Sequence, residues 1–443
     1  MNETKIIALD DDPTGSQTVH GCLLLTRWDV ATLTEALLDD SPLFFVLGNT
    51  RGMGANEAAA VTRTICVHLR AALDGLARQG RVIHPVIVSR SDSTLRGHYP
   101  VETDVIAEEL GPFDAHFLVP AFFEGGRITR GGTHYLIVDG VPVPVHETEF
   151  AQDSVFGFRT GFLPDYVAEK TAGRISAGQV ERFGLEDVRG DLSERLTGLS
   201  GNVCCAVDAE QQADMDSFAR QVLAAAAGGK RFLFRSAASL LTAFAQLPPQ
   251  PVAPADMARF VRGGRPGVVL VGSHVARSTR QLERLIAHTA VTPIEIVLDR
   301  LDSDRADLLA NVQDRVANAI GAGRGVVLYT SRGERRFPTV AERLAFGERV
   351  SDLLVDIVRG LPADIGFLIS KGGITSNDTL SRGLALRTAR VLGQVRAGCS
   401  VVRCPADHPR FPDLPVVIFP GNVGDDGALA EVYRTLSTAP VDA

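Results

Sequence analysis

The chain holds 443 residues, 45% of them hydrophobic and 22% charged, with a formal net charge of -8. That length suffices for two domains with full cores, and the charge leaves no basic excess to draw the protein to nucleic acid or a membrane surface, so a small molecule is the expected partner. Six cysteines with no Cys-x-x-Cys spell neither a zinc cage nor a redox pair, and neither a leader pattern nor a run of bilayer length is present, so a soluble cytoplasmic protein is expected.

The apolar run Ile6 to Leu9 predicts a strand that breaks into Asp10, Asp11, Asp12, Pro13, Thr14 and Gly15. Three carboxylates and a Pro/Gly turn at a strand end repel one another off a sheet edge unless a cation or polar ligand is met there. Apolar runs at 22–25, 43–47, 86–88 and 117–119 read as buried strands, too short for buried helices and bounded by turn residues. Between them, 31–38, 55–76 and 100–110 carry helical spacing, the last opening on Pro100. This alternation predicts a mainly parallel sheet covered on both faces. Glycines and β-branched residues over 125–153 predict hairpins, and the strand signal resumes at 203–207 and 232–234 around a helix at 211–227.

Residues 247–254, Leu-Pro-Pro-Gln-Pro-Val-Ala-Pro, neither continue a helix nor enter a sheet interior, and read as a linker between domains at 1–247 and 255–443. Beyond it come strands at 268–271, 294–298, 326–329 and 365–369 with helices at 277–288, 304–320 and 340–358. Strands near 389–392, 400–403 and 416–419 and a closing helix from Asp426 follow. The expected fold is α/β with two domains, each a mainly parallel sheet flanked by helices, and a cleft between them.

Three strands of the second domain end in glycine-bearing polar turns: Gly272-Ser273-His274, Lys371-Gly372-Gly373-Ile374-Thr375-Ser376 and Gly421-Asn422-Val423-Gly424-Asp425. Glycine lets backbone N–H groups approach phosphate oxygens, and a helix starting just beyond adds its positive end. Each turn alone is a weak signal, since such residues are commonest there for structural reasons. Three on one sheet edge point to a nucleotide, with Ser273, Gly372, Gly373, Thr375, Ser376, Gly421, Asn422 and Gly424 as candidate contacts. P-loop and Rossmann fingerprints are absent.

In the first domain, Val86 to Val88 runs into Ser89-Arg90-Ser91-Asp92-Ser93-Thr94-Leu95-Arg96-Gly97, and the 43–47 strand is followed by Asn49-Thr50-Arg51-Gly52. The planar guanidinium fork suits a carboxylate, while Asp and hydroxyl side chains suit sugar hydroxyls. The plain alternative is that Asp92 and Arg96 only pair with each other to close the turn. Convergence with the acidic N-terminal turn favours a binding site. Among the histidines, His98 and His274 lie at candidate loops, and none shows metal-ligand spacing.

At these residues the sequence resembles the four-carbon acid sugar kinases, which include threonate, erythronate and 3-oxo-tetronate kinases. Asp11-Asp12-Pro13-Thr14-Gly15 resembles the family's Asp-Asp-Leu-Thr-Gly opening, and Asp92-Ser93-Thr94-Leu95-Arg96-Gly97 matches its Asp-Ser-Thr-Leu-Arg-Gly core. Gly126-Arg127-Ile128-Thr129, Asp139-Gly140-Val141-Pro142 and Glu149-Phe150-Ala151-Gln152-Asp153 resemble its middle segment; Lys371 to Ser376 and Pro420 to Asp425 resemble its nucleotide motifs. Pro13, Arg90, His98 and Ile374 depart from the commonest family residues. The resemblance implies an acid-sugar domain, an ATP domain, magnesium on the ATP phosphates, transfer of phosphate to a sugar-acid hydroxyl, and a homodimer.

On that reading Arg51, Arg90 and Arg96 face the substrate carboxylate or the transferring phosphoryl group, with Ser91 beside them. Asp11 and Asp12 hold sugar hydroxyls, and Asp12 or Asp92 accepts the proton of the attacking hydroxyl. No metal ligands are assigned. Two rivals differ in class: a nicotinamide dehydrogenase, which lacks its glycine fingerprint here, and a regulator that binds nucleotide and sugar acid without transfer.

Overall fold

Parallel strands buried on both faces need continuous apolar runs, and β1 (Glu3–Asp10) has one, with Ile6 to Leu9 at most 7% exposed. The computed structural model describes residues 3–332, 337–421 and 423–438, and the chain divides into two units, residues 1–248 and 249–443. After β1 come β2 (Leu23–Leu25), α1 (Val30–Leu38), β3 (Leu43–Leu47), α2 (Ala55–Arg78), β4 (Ile83–Arg90), α3 (Val101–Leu110) and β5 (Ala115–Val119). A small antiparallel sheet, β6 (Arg127–Arg130), β7 (Thr133–Val138) and β8 (Val141–Pro144), is followed by α4 (Leu163–Lys170), β9 (Glu181–Phe183), α5 (Leu185–Arg189) and α6 (Ser193–Gly198). The unit closes with β10 (Val203–Val207), α7 (Gln212–Ala227), β11 (Phe232–Ser236) and α8 (Ala238–Ala245).

Its main strands run in the order β2-β3-β1-β4-β11-β5-β10-β9, every pairing parallel. Helix α2 buries Ala58, Thr62, Ile65, Cys66, Leu69, Ala72 and Leu76, a stripe at helical spacing, against this sheet. The chain winds outward from β1 to β3 on one side and to β4 on the other, so the order reverses at β1. In open α/β sheets the carboxyl ends at such a reversal form the ligand crevice, and β1 delivers Asp10, Asp11 and Asp12 there.

The second unit contains β12 (Val268–Val271), α9 (Ala276–His288), β13 (Thr292–Ile296), α10 (Arg305–Gly321), β14 (Val326–Thr330) and α11 (Val340–Arg359). Next come β15 (Leu368–Lys371), α12 (Gly373–Asp378), β16 (Thr388–Arg396), β17 (Cys399–Arg403), β18 (Pro415–Phe419) and α13 (Ala428–Ser437). Strands β13-β14-β12-β15-β18 are parallel neighbours, while β17 and β16 extend them antiparallel. Here the order reverses at β12, whose end carries Gly272 and Ser273. Among the described residues no helix is long and apolar enough to cross a membrane.

Each unit is thus a mainly parallel α/β sheet, as the alternation of apolar runs predicts, with differences at element ends. The strand expected over 294–298 stops at Ile296, where the chain turns through a 3-10 segment at Leu298–Arg300. The strand expected from Ile365 begins at Leu368, because Gly366 bonds backward to Pro266. The closing helix starts at Ala428, after a turn in which the Asp425 side chain accepts from the Gly427 amide at 3.1 Å. β16 is longer than expected since it buries only alternate residues, so its apolar run looks short.

Phe117, fully buried on β5, packs its ring within 5.3–5.6 Å of the rings of Phe183, Phe218, Phe232 and Phe234. Phe117→Ala is expected to destabilise the first unit by about 3–5 kcal/mol in denaturant unfolding. A loss below about 1 kcal/mol would show that this aromatic cluster does not hold β5 against β9, α7 and β11.

Candidate functional site

In the first unit the loops after β1, β3 and β4 meet through Arg51. Its guanidinium donates to Asp11 at 2.5 and 3.2 Å, lies 3.5 Å from Asp12 and 3.9 Å from Asp92. Arg96 forks onto Asp92 at 3.0 and 3.3 Å and lies 3.7 Å from Asp153, with its guanidinium over the Phe150 ring. The pairing of Asp92 with Arg96 therefore exists, but as one link in a wider lattice. Asp12 accepts from the Thr14 amide at 2.9 Å and hydroxyl at 2.5 Å, and Asp92 accepts from the Thr94 amide at 3.1 Å and its hydroxyl. Such turns leave each carboxylate fixed before any ligand arrives.

Arg90 sits behind this lattice, its side chain 4% exposed and 3.5 Å from Asp10. Asp10 itself is closed off: a Cβ added at Gly15 would lie 1.8 Å from Asp10 Oδ2. Burial pushes Asp10 up to about 8, with Arg90 opposing and Asp11 and Asp12 adding to the rise. For Asp12 and Asp92 burial also opposes ionisation, yet the outcome is the reverse. Arg51 and the Thr14 hydrogen bonds lower Asp12, and Arg51 with Arg96 holds Asp92 well below the usual carboxylate range. Against the cost of its own burial, Arg51 is held well above its ordinary value by Asp11, Asp12 and Asp92.

Beneath these loops lies a layer the sequence reading missed. Arg235, at the end of β11, donates to Glu102 at 2.5 Å and Ser89 at 2.8 Å, and Thr50 donates to the other Glu102 oxygen at 2.5 Å. Gly97 has a φ of +116°, and a Cβ there would come within 2.6 Å of Arg235 and 3.0 Å of Asp11, so only glycine fits between them. Ser91, Asp92, Arg96 and Arg235 line a cavity of about 20 Å³, room for one water-sized oxygen.

In the second unit the three glycine turns converge. A Cβ at Gly272 would lie 2.2 Å from Thr375 Oγ1, one at Gly372 3.1 Å from Ser273, and one at Gly421 3.0 Å from Ser273 Oγ. Ser278 donates to Ser273 Oγ at 2.9 Å and to the Gly421 carbonyl at 3.1 Å. Lys371, fully buried, donates to the carbonyls of Pro420 at 2.5 Å and Gly421 at 3.1 Å, and burial pushes its ammonium down to about 7. Gly373 opens α12 beside them. Ser376 turns inward to the Ser370 carbonyl at 3.0 Å, and Gly424 lies against Ala428, where a Cβ would come within 2.5 Å. Asn422 falls outside the described residues. Arg332, beyond β14, donates to the carbonyl of Ser273 and was not singled out from the sequence.

This cradle presents hydroxyls and backbone groups, with Lys371 and Arg332 turned onto its own carbonyls, a set whose chemistry suits oxyanions better than a metal cage. Among the described residues no three His, Cys, Asp or Glu side chains converge to hold a metal. Asp425 and Asp426 are engaged by Arg396 at 3.4 Å and Arg280 at 2.9 Å.

Residues 6–244 match a family model described as a sugar-binding N-terminal domain, and residues 268–429 match one described as a nucleotide-binding C-terminal domain. The chain belongs to the four-carbon acid sugar kinase family. Within that family, a D-erythronate kinase from Heliobacterium modesticaldum is 28% identical over 223 residues, covering 49% of this chain and 47% of that relative. The chain thus spans about half the length of the curated relative it matches. A Salmonella typhimurium protein described as a putative tRNA synthase shares the fold with a TM-score of 0.67, 16% identity and coverage of 97% of this chain and 98% of its own. A Haemophilus influenzae protein of the DUF1537 family does so with a TM-score of 0.61, 14% identity and coverage of 98% and 100%.

The raised Asp10 has a direct consequence for this acid sugar kinase family member. Its folded value of about 8 exceeds the ordinary 3.8, so between those limits the native state holds a proton that the unfolded chain has released. Its stabilising contribution is full below about pH 4 and is lost as pH rises toward about 8. Asp10→Asn, neutral throughout, is expected to flatten the fall in Tm over that window. An unchanged slope would mean that Asp10 is ionised in the folded protein.

Proposed function

We propose that this chain is an ATP-dependent kinase that phosphorylates a hydroxyl of a four-carbon sugar acid of the threonate, erythronate or oxo-tetronate type, with residues 1–247 taking the acid sugar and 255–443 the nucleotide. The observation that carries this reading is the pair of polar clusters at the two strand-order reversals. One is an arginine and carboxylate lattice suited to a polyhydroxy acid, the other a glycine and hydroxyl cradle suited to phosphates. The D-erythronate kinase relative supports the same reaction class.

Phosphoryl transfer through a loose transition state asks mainly for alignment and charge neutralisation. Magnesium accompanies ATP on its phosphates in this reading and needs no protein cage. Asp12, its side chain 19% exposed, accepts hydrogen bonds from sugar hydroxyls. Asp11, 1% exposed with both oxygens held by Arg51, instead positions that guanidinium, and half-buried Arg96 lies at the edge of the lattice. Asp92 has both oxygens engaged by Arg96 and Thr94, whereas among the described residues Asp12 Oδ2 has only the 3.5 Å contact to Arg51. We therefore assign the acceptor proton to Asp12, with Asp92 holding Arg96 and Arg51 in place. Ser273 and the Gly372, Gly373, Thr375 and Gly421 backbone serve the phosphates, and Lys371 pins the Gly421 turn.

The test is ADP release on incubation with ATP, magnesium and four-carbon sugar acids. Turnover is expected with at least one acid, and Asp12→Asn is expected to lower kcat on the order of 10²-fold or more while nucleotide affinity stays unchanged. Binding of both ligands with no ADP above background would instead make the chain a regulator.

A further inference from the structure

The site holds more arginines than a ligand can reach. Arg51 is neutralised by Asp11, and Arg96 by Asp92 with Asp153 nearby. Arg90 and Arg235 have side chains only 4% and 5% exposed, shut behind Asp10 and Gly97. Arg127 differs from all four.

It opens β6, the first strand of the small antiparallel sheet, and is half-buried. Among the described residues it has no carboxylate partner: Nη1 donates to the carbonyl of Gly125, the guanidinium lies 5.9 Å from the Phe122 ring, and Nε is buried with no hydrogen-bond partner. The backbone around it is fixed, since Phe122 and Arg127 exchange amide hydrogen bonds of 2.8 and 3.0 Å. The sheet is also fixed against the Asp92–Gly97 loop. His134 on β7, fully buried, bridges the Thr129 hydroxyl at 2.9 Å and the Ser93 carbonyl at 2.8 Å. Asp92, Arg96 and Glu149 are the charges whose fields act on Arg127.

A buried guanidinium edge without a counter-ion is unfavourable unless an anion completes it. We propose that Arg127 binds the carboxylate of the acid sugar and so selects acids over neutral polyols, an assignment that rests on the kinase reading above. Nη2, which has no hydrogen-bond partner among the described residues, is the guanidinium nitrogen open to a carboxylate oxygen, with Nη1 on the Gly125 carbonyl and Nε buried behind it. Arg51 and Arg96 then organise the carboxylates that meet the hydroxyls rather than hold the acid group.

Binding of D-erythronate, D-threonate and the uncharged erythritol to the full chain is measured by calorimetry, and KM by ADP release, for wild type, Arg127→Gln and Arg127→Lys. Circular dichroism melting checks that the variants fold. Arg127→Gln is expected to weaken sugar-acid binding on the order of 10- to 100-fold with unchanged ATP affinity and erythritol binding, and Arg127→Lys to recover part of the loss. Unchanged acid affinity in a folded Arg127→Gln overturns the proposal, as does equal loss for acid and erythritol. Acid binding by wild type without ADP release, lost in Arg127→Gln, retains Arg127 and rejects the kinase reading. No acid binding by wild type rejects both.

Discussion

The hold of Arg51 on Asp11, Asp12 and Asp92 is the constraint on which the first unit's site depends. Three neighbouring carboxylates at a strand end, largely withdrawn from water, repel each other and lose hydration. One guanidinium in reach of Asp11 and Asp12, and of Asp92 from the β4 loop, offsets both penalties. Asp10, with no ion pair to Arg51 and closed over by Gly15, is pushed up to about 8, and burial raises Asp11 as well despite its contact with Arg51. Charge balance thus separates four carboxylates with similar sequence surroundings into distinct states.

The second unit solves a different problem at the same kind of strand-order reversal. An edge suited to phosphate must present backbone without side chains in the way: a Cβ at Gly272 would collide with Thr375, those at Gly372 and Gly421 would press on Ser273, and Gly372 holds a φ of +122°. Packing turns so closely risks stranding their carbonyls. Lys371 and Ser278 supply donors to Gly421, Lys371 also to Pro420, and Arg332 to Ser273. Those inward cations act as struts, which explains why Lys371 is buried rather than displayed.

The strands, their order of appearance and both polar strand ends were readable because a buried parallel strand is a compact apolar run whose polar successor stands out. Asp10 to Gly15 and Asp92 to Gly97 are visible on that basis. Arg235 was not, because it interrupts the run Phe232 to Ser236 without a turn signal, and Glu102 sits in an ordinary first helical turn. Arg332 follows β14 in Ser331-Arg332-Gly333, where the glycine comes after the arginine rather than directly at the strand end. The full length of the antiparallel β16 and the short α5 and α6 escaped for local reasons: half-buried alternation in the first, and too few residues to show a period in the others.

The most direct test of the arginine lattice is amide hydrogen exchange in Arg51→Gln against wild type. If Arg51 holds the three loops, exchange quickens over residues 11–16 and 91–97 while the interiors of β1 and β4 keep their protection. Unaltered exchange in both loops would contradict the account, because the loops would then be ordered without the charge that is said to order them.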